Sequence, residues 1–451
     1  MILATFGKSC DCMRQSPFPC RQCDDGKCAV TSTEFGRSLN KDSGPTNQPP
    51  PASDASTLNV ALYPYTPEPK WFESTIRAAW HSVQPDVALN FVYTYDCYKG
   101  DPPSTVDVFA YDCIFADHMR QFCVEFDIDG TADFYPWSLA SLKTESSEYQ
   151  GIPYLGCMQI LIRRLTDAAL GAPGMTVEEL HKILGDGDPK AVWPAQGQGM
   201  LLDFTGGTTV ACMYEQAVME ESGQFPLTPA LPPCPGLDQQ GLADMQVLRN
   251  IAGYAQATYP DSGYDRITKW NQRIGRAFVG LTEIFHFIDN VDASTYSVMP
   301  LSSEPIEKVG IPLYTDALSV NVAIAQEKRA TAIQLVKLIA STNVMLECMS
   351  PTGKKPQYLV PTRQSLMNQL LARQPNSAVY NIMRNIISND MAHPFRLGAD
   401  SRTWLDSTKG CIKTEILGPP PAGVAEHVGE DSAVFNDPAY ASTPAGLLRR
   451  P

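Results

Sequence analysis

The strongest constraint on how this chain folds is a regular beat of short apolar runs and amphipathic helical segments over residues 58–415. "LNVALYPYTP" reads as a strand that ends in two tyrosines separated by proline. "WFESTIRAAWHSVQP" spaces Trp71, Phe72, Ile76, Ala79 and Trp80 as the inner face of a helix. "VALNFVYTYDCY" and "DVFAYDCIF" return to strand character. Strand, helix and strand in this order predict an α/β fold with a sheet covered on both faces. Downstream, "GQGMLLDFTGG" reads as a strand entering a glycine turn, and "ADMQVLRNIAGYAQAT" and "YDRITKWNQRIG" as helices. "AFVGLTEIFHF" and "VGIPLYTDALSVNV" read as strands, "AQEKRATAIQLVKLIAST" as an amphipathic helix, and residues 362–389 as two further helices.

A chain of 451 residues exceeds what one hydrophobic core supports, so two lobes are expected. The pattern allots residues 58–153 and 317–415 to one lobe and 154–316 to the other, crossing near Gly151 and returning near Asp316. Residues 1–57 form a cysteine-rich segment and a Ser/Pro-rich linker, and residues 416–451 lose periodicity and read as a disordered tail. The net charge of −14 argues against nucleic acid or an anionic bilayer as partner and suits a cationic ligand. No apolar run approaches the ~18 residues of a membrane span. Thirteen cysteines favour an extracellular setting, although the start of the chain carries no clear signal peptide. Five of them, Cys10, Cys12, Cys20, Cys23 and Cys28, fit a disulfide knot, a zinc site or free thiols. The six histidines show no zinc-binding spacing and read as structural.

Ligands of two-lobed α/β folds sit at the carboxyl ends of strands. The expected strand ends carry Tyr63, Tyr65, Tyr93, Tyr95, Asp96, Asp112, Cys157, Asp203, Glu283, Tyr314 and Asp316. Tyrosines, carboxylates and one cysteine suit a flat, amine-bearing, positively charged heterocycle. Cys157, inside the apolar "GIPYLGCMQILIRR", is by itself either a core filler or a thiol delivered to a cleft. Strand alternation puts Glu283 on one face with apolar Leu281 and Phe285, a setting that would raise its pKa. Asp112 also fits as the cap of a following helix, and "TGGTT" at 205–209 fits a helix start better than a phosphate loop, because it lacks the P-loop lysine.

Six blocks in series, "ALYPYTPE", "DVFAYDCIFADHM", "GIPYLGCMQILIRR", "DFTGGTTVACMYEQA", "AFVGLTEIF" and "PLYTDALSVN", resemble the thiaminase I (thiamine pyridinylase) family. The resemblance implies a two-lobed fold of the periplasmic-binding-protein type with a central cleft. It also implies a transferase in which a cysteine thiolate adds to C6 of the thiamine pyrimidine, the thiazole leaves the methylene bridge, and an amine or other nucleophile replaces it. Position by position, Cys157 matches the nucleophile and Glu283 the glutamate that deprotonates it. Asp112 and Asp316 match pocket carboxylates, and Tyr63, Tyr65, Tyr264 and Tyr314 match aromatic wall positions. The implied mechanism needs neither a metal nor an organic cofactor, and the expected partners are thiamine and an amine or thiol nucleophile, acting on a monomer with no nucleic acid or membrane. Leu281 departs from the family, which tends to place tyrosine there. Two other readings stand beside this one: a non-catalytic protein that binds thiamine or a related pyrimidine, and a cysteine hydrolase with a histidine base.

Overall fold

The computed structural model describes residues 57–142, 149–170, 175–224, 231–260, 265–289, 296–305, 310–388 and 391–424. The chain divides into two units, residues 1–52, which lie outside the described residues, and residues 53–451, which hold everything below. The N-terminal cysteine segment, Tyr264 and most of the expected disordered tail also fall outside the described residues.

Strand β1 (Thr57–Ala61) pairs in parallel with β2 (Ala88–Phe91) and β3 (Val108–Asp112). The helix Pro69–Val83 links β1 to β2, opening on a proline whose missing N–H costs nothing in a first turn. It buries Phe72, Ile76 and Trp80 at the expected spacing of four. β4 (Ile152–Cys157) and β11 (Ile311–Val320) complete this layer, with β12 (Ala392–Pro394) at the edge. The order is β12-β11-β3-β1-β2, and β4 also pairs with β11. Every residue of β3, β4 and β11 is buried, which is why these runs read as continuously apolar rather than alternating.

A second sheet has the order β7 (Met200–Leu201), β8 (Ala277–Leu281), β5 (Gln159–Arg164), β9 (Tyr296–Met299). β6 (Met175–Thr176) and β10 (Leu301–Ser302) form a small parallel pair beside it. The chain changes sheets at Met158, between β4 and β5. Both expected lobe boundaries, 153/154 and 316/317, fall inside strands of the first sheet. Two layers with helices around them give the two-lobed α/β architecture that the sequence pattern predicts.

Three local expectations need correction. The segment "AFVGLTEIFHF" is a strand only to Leu281; Thr282–Phe287 coils into a 3₁₀ turn, so Glu283 does not alternate along a strand. The expected long helix at 243–258 breaks at Gly253, whose φ of 84° ends Gln239–Ala252 before the short Tyr254–Ala257 helix. Helix Ser401–Leu417 was hidden by its mixed composition. It packs on Gly207–Ser222 and Gln239–Ala252, and Cys411 is bridged to Cys234.

Candidate active site

β-sheet register assembles the centre of the site. Tyr314 lies opposite Cys157 across β11 and β4, and Asp316 lies opposite Asp112 across β11 and β3. With a side-chain period of two, Tyr314 and Asp316 share one face of β11. Sequence reasoning placed both at a strand end, but they sit in the middle of a ten-residue strand. The close approach of β4 and β11 requires glycine before the cysteine: a Cβ on Gly156 would lie 2.6 Å from the Tyr314 carbonyl oxygen.

This face opens on a cleft of about 460 Å³, within the ~300–1,000 Å³ range of small-molecule sites. The loop after β1 contributes Tyr63 and Tyr65, the first sheet contributes Asp112, Cys157 and Tyr314, and the second contributes Gln159 and the β8 segment ending in Leu281. Glu283, from the 3₁₀ turn after β8, lines the same cleft. Asp316 is buried and does not itself line the cleft, but it interacts electrostatically with Asp112, Glu283 and Cys157. Tyr93 is instead exposed on the surface, where it bonds Lys70 and Glu73, and Tyr95 packs on Phe109 away from the cleft. His286 meets Glu68 and the Pro356 carbonyl, so it offers Cys157 no base.

The tyrosines hold one another. Tyr63 and Tyr65 meet edge to face at 5.4 Å, and Tyr65 lies 5.7 Å from Tyr98. Tyr65 donates to Asp96 at 2.5 Å, and Tyr63 and Tyr98 share a hydroxyl contact at 3.1 Å. Asp112 accepts from the Tyr98 hydroxyl at 2.6 Å and from the Ile114 N–H at 2.9 Å. It therefore caps the turn that follows and also lines the cleft. Sequence reasoning missed Tyr98, Gln159, Cys212, Arg266 and Lys409 as cleft residues. Tyr98 follows Asp96 in "YDCYKG", but nothing in that spacing sets it apart from a core tyrosine. Lys409 arrives from the unforeseen C-terminal helix. The glycines of "TGGTT" start the helix Gly207–Ser222, whose first turn lines the cleft.

Three buried carboxyl groups lie close enough to interact, Asp112 and Glu283 lining the cleft and Asp316 near them. Burial pushes Glu283 up to about 7, against the pull of a backbone hydrogen bond. Burial likewise raises Asp112 to about 6, offset in part by its bonds from Ile114 and Tyr98. Asp316 is raised by burial, then by the neighbouring Asp112 and Glu283. The thiol of Cys157 is held well above its ordinary range by burial first, then by Glu283, Asp316, Asp112 and Cys212. Glu283 Oε2 and Asp316 Oδ1 are buried without a hydrogen-bond partner among the described residues. An unmet buried acceptor costs about 1–3 kcal/mol, so both atoms await a donor. A cation with an amine suits them. Among the described residues no cluster of three metal-ligating side chains occurs.

Fold and site together define a two-lobed, binding-protein-like α/β chain with a cysteine and carboxylates facing its cleft. The Thiaminase-1 domain matches residues 158–302. The Thiaminase-1 of Paenibacillus thiaminolyticus is 32% identical over 379 residues, covering 81% of this chain and 90% of that one. The chain belongs to the thiaminase I family. Clostridium botulinum thiaminase I, solved in complex with thiamin, superposes with a TM-score of 0.74 at 29% identity, over 80% of this chain and all of that one (100%). Maltose-bound MalE3 of T. maritima shares the fold alone, with a TM-score of 0.57 at 14% identity, over 80% of this chain and 98% of that one.

Proposed function

We propose that this protein is a thiamine-degrading transferase that replaces the thiazole of thiamine with an amine or other nucleophile. The observation that carries this reading is that Cys157 and Glu283 face one cleft in a chain of this family. Thiamine's thiazolium charge suits a space lined by Asp112 and Glu283, with Asp316 near both. Its exocyclic amine supplies the donors that Asp316 Oδ1 and Glu283 Oε2 lack.

In the reaction, Glu283 takes the Cys157 proton and the thiolate adds to C6 of the pyrimidine. A carboxylate poised near 7 is far better matched to a thiol than one at its ordinary value near 4.5. Asp112 and Asp316 bind the amine edge and favour the protonated ring that accepts the sulfur. The electron pair then expels the thiazole from the methylene carbon. The incoming nucleophile bonds to that carbon, and the sulfur leaves C6 with its electron pair and recovers the proton from Glu283. Leu281 lines the cleft where relatives tend to hold tyrosine, so its side chain gives packing but no hydrogen bond.

Incubation with thiamine and aniline, followed by mass analysis of small molecules, tests the reading. Free thiazole together with a pyrimidine–aniline adduct is expected. Tight binding without products would instead make this a thiamine-binding protein, and product formed only with water would make it a hydrolase.

A further inference from the structure

A line of hydrogen bonds leaves the cleft at Tyr314 and ends in a second, much smaller void. Tyr314 donates its hydroxyl to Gln216 Oε1 at 3.2 Å, and Gln216 Nε2 donates to Glu220 Oε1 at 2.9 Å. The other carboxylate oxygen accepts the Ser303 N–H at 2.8 Å. Gln216 and Glu220 lie one turn apart on the helix Gly207–Ser222, and Glu220 is only 1% exposed. The void beside them measures about 20 Å³, room for roughly one water, and touches Gln159, Gln216, Glu220, Asp244 and Ser303. Gln159 also lines the main cleft, so the two spaces share a wall. Burying a carboxyl group is costly and an apolar residue packs as well, so stability does not account for Glu220.

We propose that Glu220 is a positioning residue for the transfer reaction: through the Gln216 amide it sets the direction of the Tyr314 hydroxyl beside Cys157. The proposal rests on the reading above, in which Cys157 attacks the pyrimidine. Tyr314 lies opposite Cys157 in the β4–β11 register and its ring lines the cleft. An ionised Glu220 only accepts, so it holds the Gln216 amide with NH₂ toward itself and carbonyl toward Tyr314. The Tyr314 proton is then drawn to Gln216, and the hydroxyl presents lone pairs to an amine in the cleft. A protonated Glu220 donates instead, the amide turns over, and the Tyr314 proton swings into the cleft. The amide orientation in the structure, with its NH₂ toward Glu220 and its carbonyl toward Tyr314, matches the ionised arrangement, which is the competent one.

Burial pushes Glu220 up to about 7, the Ser303 N–H, Gln216 and Ser302 pull it down, and Asp244 pushes it up. Both arrangements are therefore populated near neutral pH. Facing it are Asp244 from the helix Gln239–Ala252, Ser302 and Ser303 at the end of β10, and Gln159 from β5. Glu221 on its own helix faces Asp244 and Glu304. No lysine or arginine lines the void among the described residues.

Steady-state kinetics with thiamine and aniline across about pH 5.5–9, on the full chain and its variants, test this. Glu220→Gln is expected to lower kcat about tenfold with KM changed less than about twofold. Gln216→Leu, which removes the amide and keeps the carboxylate, should give the same loss. Both should share one pH profile with Tyr314→Phe, shifted from the unmodified protein, and Glu220→Gln should cost nothing further in the Tyr314→Phe background. A loss of equal size in both backgrounds, or an unshifted profile, overturns the proposal while leaving the functional reading intact. No turnover by the unmodified protein overturns both.

Discussion

Cys157 and Glu283 meet a chemical mismatch: an ordinary thiol sits near 8.5 and an ordinary glutamate near 4.3, too far apart for efficient transfer. Burial raises the glutamate to about 7, and it raises the Cys157 thiol as well, so ionising the thiol depends on a base close by rather than on a lowered thiol pKa. Cys157→Ser keeps the shape but not the nucleophile, so kcat is expected to fall by at least ~10³-fold with thiamine binding retained, measured by calorimetry. Glu283 acts as base only when ionised, and its folded value near 7 lies above the ordinary one. Alkylation of Cys157 by iodoacetamide should therefore accelerate as pH rises through about 7. Glu283→Gln should remove that rise; an unchanged profile would deny Glu283 the role. At this scale the sequence was only partly legible. Cys157 stood out by its family block, whereas Glu283 was correctly read as buried through a strand alternation that the 3₁₀ turn abolishes. Tyr98, which bonds Asp112, carries no local signal, because its role arises from a contact 14 residues away.

At the level of elements, the site depends on strand register more than on any one loop. β11 carries Tyr314 past Cys157 and Asp316 past Asp112, so a slip of one residue would turn both side chains to the opposite face. Gly156 permits this by letting β4 approach β11 closely. Gly156→Ala is expected to destabilise by about 1–3 kcal/mol and to lower kcat, because the added methyl must push the Tyr314 backbone away. Denaturant unfolding alongside kinetics checks this, and a variant of unaltered stability would contradict the close packing. The buried strands were readable from their unbroken apolar runs. Partner order was not, since β11 joins β3, β4 and β12 across separations that reach 212 residues between Val108 and Val320, which a local pattern does not encode. Helix Ser401–Leu417 was missed because its polar face and Gly410 blur the periodicity.

Across the whole molecule, buried carboxyl groups set the response to pH. Burial raises Glu283 and Glu220 to about 7 and Glu215 to about 8. Between the ordinary value near 4.5 and these values the folded chain holds protons that the unfolded chain has released, so stability falls as pH rises through that window. Glu68, Asp133 and Asp167 are shifted downward, and their contribution fades only below the same ordinary range. The thermal midpoint should thus drop by at least ~3 °C between about pH 5.5 and 8.5 in the free protein, and saturating thiamine should reduce the drop. A flat or rising midpoint in calorimetry would contradict the placement of these groups. The net charge of −14 pointed to a cationic ligand, and the strand–helix beat gave the two-lobed class, but composition held no trace of which carboxylates converge. The most direct measurement is peptide mapping by mass spectrometry after the protein meets thiamine without added nucleophile. The account expects the pyrimidine fragment on the sulfur of Cys157, lost when aniline is added. Turnover with that sulfur unlabelled, or the label on another residue, would contradict it.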